Sequence, residues 1–427
     1  MKKKIQIHEL RKGMYVSELD RPWFGTPFLF QGFQIQTDEE IEQLRQCCQY
    51  VYIDTEPQAL PNTPGSKRRA APVPTQSVPN EHDVAAVLEF TQRKKTAGSG
   101  QPAHRYMHEV LLKEEIGQAR ELESRARQLI YTIADDVRLG RSLDTVGAKN
   151  AVAGMVESVI RNPDALAWLT HLKNKDDYTA LHSVRVCILA LTFGRHLELP
   201  VEQLNVLGIG ALLHDIGKLK VPNEILNKPA RLTDAEFVIM RTHVPLGVEI
   251  LANTPGIPAA AVEVAQRHHE RYGGAGYING FSGDQIGLFG LIGGIVDAYD
   301  ALTSDRAYHA GRSSYDALDL LYQAKNTDFH AGLVEQFIQC MGIYPLGSIV
   351  EMNDGCIGVV TSINRSHRLK PCVAMVLTPE KKPYVPATVV DLFKSPQDSA
   401  GRMLEIRRVL AAGTYDINPA AYLTTLG

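Results

Sequence analysis

Seven side chains able to hold a metal recur through the middle of this chain: His182, the pair His214-Asp215, His243, the pair His268-His269, and Asp297. Successive members stand about 25 to 32 residues apart, the length consumed by a helix, a short loop and part of a returning helix. Such spacing can bring one ligand from each of several packed helices to a common depth. Imidazole with carboxylate suits a borderline transition metal, and this many ligands suit two ions better than one. The chemistry on offer is that of a dinuclear metal enzyme. A lone histidine on an apolar helix is more often a packed or surface side chain, and His171, His196 and His330 are read that way. The string GALLHDIGK, 210–218, is different. Its apolar run carries an adjacent His and Asp inward, where an unpaired carboxylate is costly and demands a cation or donors. Lys218 follows Asp215 by three residues, on the same face if the helix runs on. A metal-bridging carboxylate beside a phosphate-binding ammonium accounts for the whole string.

The elements that must position these side chains read as helices over 175–196, 201–218, 234–253, 259–270 and 288–304. Thr233 with Glu236 three residues on is a capping box that starts the third of them. Residues 314–341 add one or two helices. Beyond Pro345, short apolar runs separated by polar turns predict a small β-rich, barrel-like appendage over 346–427. Upstream, 1–57 alternates apolar and polar positions around one helical segment, a small α+β unit. The Pro-, Ser- and Ala-rich stretch 58–103 reads as a flexible linker. Apolar residues at helical spacing over 104–164 predict amphipathic helices that pack on the bundle, form a homodimer seam, or do both, with core packing favoured.

Three strings carry a resemblance: HDIGKLKVPNEILNKPARLTDAEFVIMRTHVPLG, HHERYGGAGYINGFSGDQI and IVDAYDALTSDRAYH, preceded by YTALHSVRV around His182. In order and distance they resemble the motifs of HD-GYP domains, a subgroup of the HD metal-dependent phosphohydrolases, over roughly 165–345. The stretch IQIHELRKGMYVSELDRPWFGTPFLFQGFQI is similar to a small domain that often precedes HD-GYP modules. The resemblance implies a mainly α fold: an HD-type helical bundle carrying the catalytic site, with the small α+β domain before it and the β-rich appendage after. It implies that His182, His214, Asp215, His243, His268, His269 and Asp297 bind metals, with Asp215 bridging. Some members hold a third ion through a Glu one turn before the first histidine. Tyr178 stands there, and a phenol is a poor hard ligand, so two divalent transition metals are expected, iron first and manganese next.

The substrate implied is cyclic di-GMP, cut to pGpG, with a second cut to GMP left open, by in-line attack of a metal-bound hydroxide, with Asp215 and Lys218 at the reacting centre. Lys218, Tyr277 and Arg306 would contact the nucleotide, and Asp300 would support a ligand from behind. This loop departs from the family pattern HHExxDGxGYP: Gly273 replaces Asp and Ile278 replaces Pro, while His309 stands where a Lys or Arg is common. Losing the proline frees φ and loosens the loop. If the loop is merely weakened, restoring Asp at 273 and Pro at 278 should raise turnover. Two other readings remain: a receptor that binds cyclic di-GMP or pGpG without cutting it, signalling through partners such as diguanylate cyclases, and an HD phosphohydrolase of another nucleotide.

Composition bounds the rest. The 427 residues exceed one ordinary domain, and 44% hydrophobic content is enough for a substantial core. A net charge of −3 gives no global case for nucleic-acid binding, and the basic triplets at 67–69 and 93–95 read as solvated linker charge. The opening MKKKIQIHEL does not read as a signal peptide, and the longest apolar run, 286–296, is glycine-broken and ends at Asp297, so no membrane segment is expected. Six scattered cysteines without CxxC spacing point to the reducing cytoplasm.

Overall fold

The computed structural model describes residues 2–20, 28, 33–54, 84–85, 87–88, 106, 110–170, 178–304, 311–364, 367, 369–398, 401–411 and 413–423. Most of the stretch read as a linker, with both basic triplets, lies outside them. The chain divides into two compact units, Met1–Pro74 and Thr75–Gly427.

In the first unit, β1 (Lys2–Gln6), β2 (Tyr15–Leu19), β3 (Phe33–Gln34) and β4 (Tyr50–Asp54) form an antiparallel sheet in the order β1-β4-β2-β3, with α1 (Asp38–Cys47) between β3 and β4. The period-two pattern places Val51 and Ile53 in the core while Tyr52 between them stays half-exposed. Thr37 accepts the Glu40 N–H and the Glu40 carboxylate accepts the Thr37 N–H, which fixes where α1 begins.

The second unit is mainly helical. It runs through α2 (Leu112–Arg138), α3 (Thr145–Arg161), α4 (Pro163–Leu169), α5 (Tyr178–His196), α6 (Val201–Leu213), α7 (Asn223–Leu226), α8 (Asp234–Arg241), α9 (His243–Ala252), α10 (Ala259–Arg267), α11 (Gly287–Thr303), α12 (Ser314–Gln323) and α13 (Ala331–Met341). Helices α5, α6, α10 and α11 pack in sequence around buried Ile188, Leu207, Val264 and Ile292. The amphipathic α2 and α3 pack on this bundle, α2 through buried Ala119, Ala126 and Ile133, so core packing is the role the structure gives them. Across their seam Arg161 donates twice to Glu115, at 2.8 and 2.9 Å. The segment Gly283–Thr303 is long and apolar enough to cross a membrane, yet 72% of its most apolar window is buried inside the bundle. A core helix needs that composition for packing alone.

Strands β5 (Ile349–Met352), β6 (Ile357–Ser362), β7 (Cys372–Leu377), β8 (Pro383–Asp391) and β9 (Ile406–Leu410) make an antiparallel sheet ordered β8-β7-β6-β5-β9. Its core joins Val350, Met352, Val360 and Val373 to Ile343 and Tyr344 at the end of the bundle.

Two predicted helices break where the chemistry needs them to. The helix expected over 201–218 ends at Leu213, and Ile216–Lys220 continue as a 3-10 turn. Gly217 explains the change: a Cβ there would lie 1.9 Å from the His243 carbonyl oxygen, so the turn and α9 touch backbone to backbone. The helix expected over 234–253 is two, α8 and α9, parted at Thr242. Pro245 cannot donate to the Arg241 carbonyl and its ring crowds that oxygen, which favours a break at this point.

Candidate metal centre

Every predicted ligand sits at a helix end or faces the bundle axis. His182 lies in the first two turns of α5, His214 and Asp215 leave the end of α6, His243 opens α9, His268 and His269 follow α10, and Asp297 is inside α11. The bundle brings them together as two groups whose ligand atoms lie within 4.8 Å of one another: Asp215 with His243, His268 and His269, and Asp215 with His182 and His214. Asp215 belongs to both. Its Oδ2 stands 3.3 Å from His182 Nε2 and 3.3 Å from His214 Nε2, while its Oδ1 faces His243 Nε2 at 3.5 Å and His268 Nε2 at 3.7 Å. Asp297 Oδ1 lies 3.2 Å from His182 Nε2 and 3.9 Å from His214 Nε2.

The imidazoles are held from behind. Backbone carbonyls face Nδ1 of His214 (Ala211, 2.7 Å), His243 (Met240, 2.7 Å) and His268 (Ala265, 3.0 Å). A carbonyl only accepts, so each Nδ1 carries the proton and each Nε2 turns a lone pair inward. Those three Nε2 atoms and Asp215 Oδ1 are buried with no hydrogen-bond partner. Acceptors gathered this way repel one another unless a cation lies between them. Their separations match what ligands about 2.0–2.2 Å from one shared ion would subtend. The donor set therefore fits divalent metal.

The electrostatics agree. Burial pushes His243 down to about 4 and lowers His268 and His269 as well, which keeps all three in the neutral, ligating form. Burial alone would raise Asp215, but Lys218 and His214 outweigh it and hold the carboxyl well below its ordinary range. Asp297 is likewise held down, through His182, against the effect of burial. His182 is the exception. Burial lowers it, yet hydrogen bonds to Asp215, Asp297 and Asp300 prevail and raise it well above the usual histidine value. Three carboxylates around one imidazole mark a pocket that needs positive charge.

Asp300 accepts from or shares a proton with His182 Nδ1 at 2.8 Å and is gripped by Arg185 at 2.6 and 3.1 Å. Arg185 is a residue the sequence reading missed. The signal was present: Arg185 follows His182 by one turn and Asp300 follows Asp297 by one turn, so two helices place complementary pairs at matching depth. Lys218 pairs with Asp215 Oδ2 from the 3-10 turn.

Tyr277 forms part of the rim. Its ring stacks on His269 with centroids 4.7 Å apart, and its N–H donates to the His269 carbonyl. The loop reaches this position because Gly276 lies against the chain it has just left, where a Cβ would come within 2.4 Å of the Arg271 nitrogen. Buried Glu270, to which the sequence reading gave no role, accepts the Asn279 N–H at 2.8 Å and ties the far side of the loop back. At the near side, Tyr272 and Gly273 donate to the carbonyls of Asp328 and Thr327 at 2.9 and 2.7 Å. A Cβ on Gly273 would meet the Thr327 oxygen at 2.9 Å, so Asp at 273 cannot be introduced without moving that turn. Arg306 and His309 lie outside the described residues.

A His-Asp pair delivered by one helix end against histidines from its neighbours defines the HD class of helical metal-binding domain. The HD domain family model matches residues 167–331, a domain of unknown function (DUF3391) matches 2–148, and a KOW domain associated with HD domain matches 349–398. The chain is 35% identical to the cyclic di-GMP phosphodiesterase PA4108 of Pseudomonas aeruginosa over 399 residues, 93% of this chain and 90% of that protein. It is 32% identical over 44% of its length to the cyclic di-GMP phosphodiesterase response regulator RpfG of Xanthomonas campestris pv. campestris, covering 50% of that protein. It is 37% identical over 36% of its length to the 3'3'-cGAMP-specific phosphodiesterase 3 of Vibrio cholerae, covering 33% of it. The chain belongs to the HD-GYP family of HD-domain phosphodiesterases.

Proposed function

We propose that this chain is a metal-dependent phosphodiesterase that hydrolyses cyclic di-GMP, giving pGpG first. One observation carries the reading: two ligand groups meet on a single carboxylate, Asp215, one group on each of its oxygens. The relatives named above supply the substrate class. His182, His214 and Asp215 would hold one ion, Asp215, His243, His268 and His269 the other, and Asp297 would complete the first group. Iron, with manganese second, suits a set of five imidazoles and two carboxylates. When bound, divalent ions supply Lewis acidity toward a phosphoryl oxygen and make a site water acidic near neutral pH.

The chain's own groups do the rest. Deep burial of His182, His214, His243 and His268 excludes bulk water from the floor. Entry is from the side of Lys218 and Asp297, whose side chains retain 22% and 15% exposure. Lys218 is placed to offset charge growing on the non-bridging phosphoryl oxygens as the ribose 3'-oxygen departs. Tyr277, pressed on His269, gives the nucleotide an aromatic wall. In this reading 165–345 is the catalytic region, 1–57 and 346–427 are accessory, the location is cytoplasmic, and diguanylate cyclases or a second copy are the partners to seek.

The test compares anaerobically purified wild type with Asp215→Ala, measuring bound metal and separating the products of cyclic di-GMP by chromatography. The proposal expects about two metals per chain and pGpG from the wild type alone, the variant losing at least 10³-fold in turnover. Nucleotide bound but uncut at full metal occupancy would sink it in favour of a receptor.

A further inference from the structure

On the rim beside Tyr277 stands a cluster that the mechanism above leaves unused. Phe237 on α8 meets the Tyr277 ring edge-on, centroids 5.9 Å apart at 85°. The Arg241 guanidinium, one turn further along α8, lies 4.8 Å from the Tyr277 ring and 5.8 Å from the Phe237 ring. Among the described residues no carboxylate pairs with Arg241. Phe237 is 43% exposed, which leaves part of its ring open to a ligand. The cluster is continuous with the metal centre through Tyr277 and His269.

We propose that Phe237 and Arg241 form the subsite for a guanine base of the dinucleotide, and so set its base preference; this rests on the cyclic di-GMP reading. An exposed ring offers a stacking face to a base of any identity. A guanidinium seated over two aromatic rings, with no carboxylate pairing it among the described residues, can offer two N–H groups to the O6 and N7 acceptors of guanine. Adenine presents N7 as an acceptor but a donor at N6, so the same edge rejects it. Two aromatic faces also hold the cation in place without neutralising it, which a carboxylate partner would do. With one phosphodiester at the metals, a base of the dinucleotide would extend over the rim, which α8 borders through the Phe237–Tyr277 contact.

The experiment is steady-state kinetics of wild type, Arg241→Ala, Arg241→Lys and Phe237→Leu on cyclic di-GMP, cyclic di-AMP and the base-free diester bis(p-nitrophenyl) phosphate. The expected result for Arg241→Ala is a KM for cyclic di-GMP raised about tenfold, with kcat changed less than threefold and the preference for cyclic di-GMP over cyclic di-AMP reduced by a similar factor. Arg241→Lys keeps the charge and loses the fork, so it should remain impaired. Phe237→Leu keeps apolar bulk at an exposed site, so folding is preserved while KM rises for both dinucleotides. The kcat/KM for cyclic di-GMP relative to that for bis(p-nitrophenyl) phosphate should fall in all three variants. An active wild type whose variants keep its KM and base preference would overturn this proposal alone. A wild type that cuts bis(p-nitrophenyl) phosphate but no cyclic di-GMP would overturn the substrate reading, and this inference with it.

Discussion

On the floor of the centre, three imidazoles are fixed from behind by carbonyls at 2.7 to 3.0 Å, and a fourth, His182, by a carboxylate that an arginine holds in turn. On the rim, Tyr277 is held by ring stacking, the loop by backbone bonds to a turn, and Arg241 by two aromatic faces. The floor consists of directional bonds in a dry interior, where a displaced lone pair has no substitute. The rim consists of surface contacts that can slide by an ångström at little cost. Metal chemistry needs the first kind of construction, because ligand angles decide affinity. Recognition of a flat base tolerates the second.

Metal removal separates the two regions most sharply. Stripping the protein with a chelator should abolish turnover and lower the melting temperature, because the inward lone pairs of His214, His243 and His268 and the buried Asp215 Oδ1 then face one another uncompensated. Adding back iron or manganese should restore both. An unchanged melting temperature after verified metal loss would mean that the floor is not organised around a cation.

Next in size is Asp300→Asn. The carboxylate that bonds His182 Nδ1 becomes an amide of equal shape without charge, and Arg185 loses its counter-ion. Metal affinity should fall about 10- to 100-fold, with KM for the nucleotide recovering once metal is saturating. Competition with a chromophoric chelator measures the affinity directly. A KM that stays raised at saturating metal would place Asp300 in substrate binding instead.

A smaller change is expected on the rim from Gly273→Asp. The new Cβ must push the Thr327 carbonyl from 2.9 Å, so the turn and loop shift together. KM for cyclic di-GMP should rise several-fold, on the scale of about 1 kcal/mol, while bound metal stays at the wild-type level. A gain in turnover would show that the loop lacks an anchoring side chain rather than already having a backbone anchor.

The difference between floor and rim also decides what the sequence could disclose. The convergence of His214, Asp215, His243, His268 and His269 is legible because helices repeat at fixed length and each of these side chains comes from a helix end. Helical character was equally plain in α11, whose apolar run leads directly to Asp297. The break at Thr242 is signalled in the sequence by Pro245. Arg185 could be inferred only by pairing two one-turn spacings across helices. The contacts of Gly273 with Thr327, of Glu270 with Asn279 and of Arg241 with Tyr277 join residues whose partners no local pattern specifies. They depend on how a loop folds back onto elements far along the chain.

The least effect on catalysis is expected where neither region reaches, at the seam between α2 and α3. Glu115 is only 3% exposed and accepts two hydrogen bonds from Arg161. Burial by itself would raise its carboxyl, and the Arg161 bonds outweigh this and hold it below the ordinary glutamate range. A depressed carboxylate pKa contributes stability that is fully present above the unfolded value and is lost as pH falls through the folded one. Glu115→Gln should therefore lower stability by about 1–3 kcal/mol at pH 7, with kcat and KM on cyclic di-GMP unchanged. The gap in melting temperature between variant and wild type should hold constant above the ordinary glutamate range and close only as pH falls through the depressed folded value, where the wild-type carboxyl takes up its proton. A gap that persists in acid would assign the loss to packing of the side chain. A fall in kcat would show that α2 transmits its position to the floor through α5, which it also packs against.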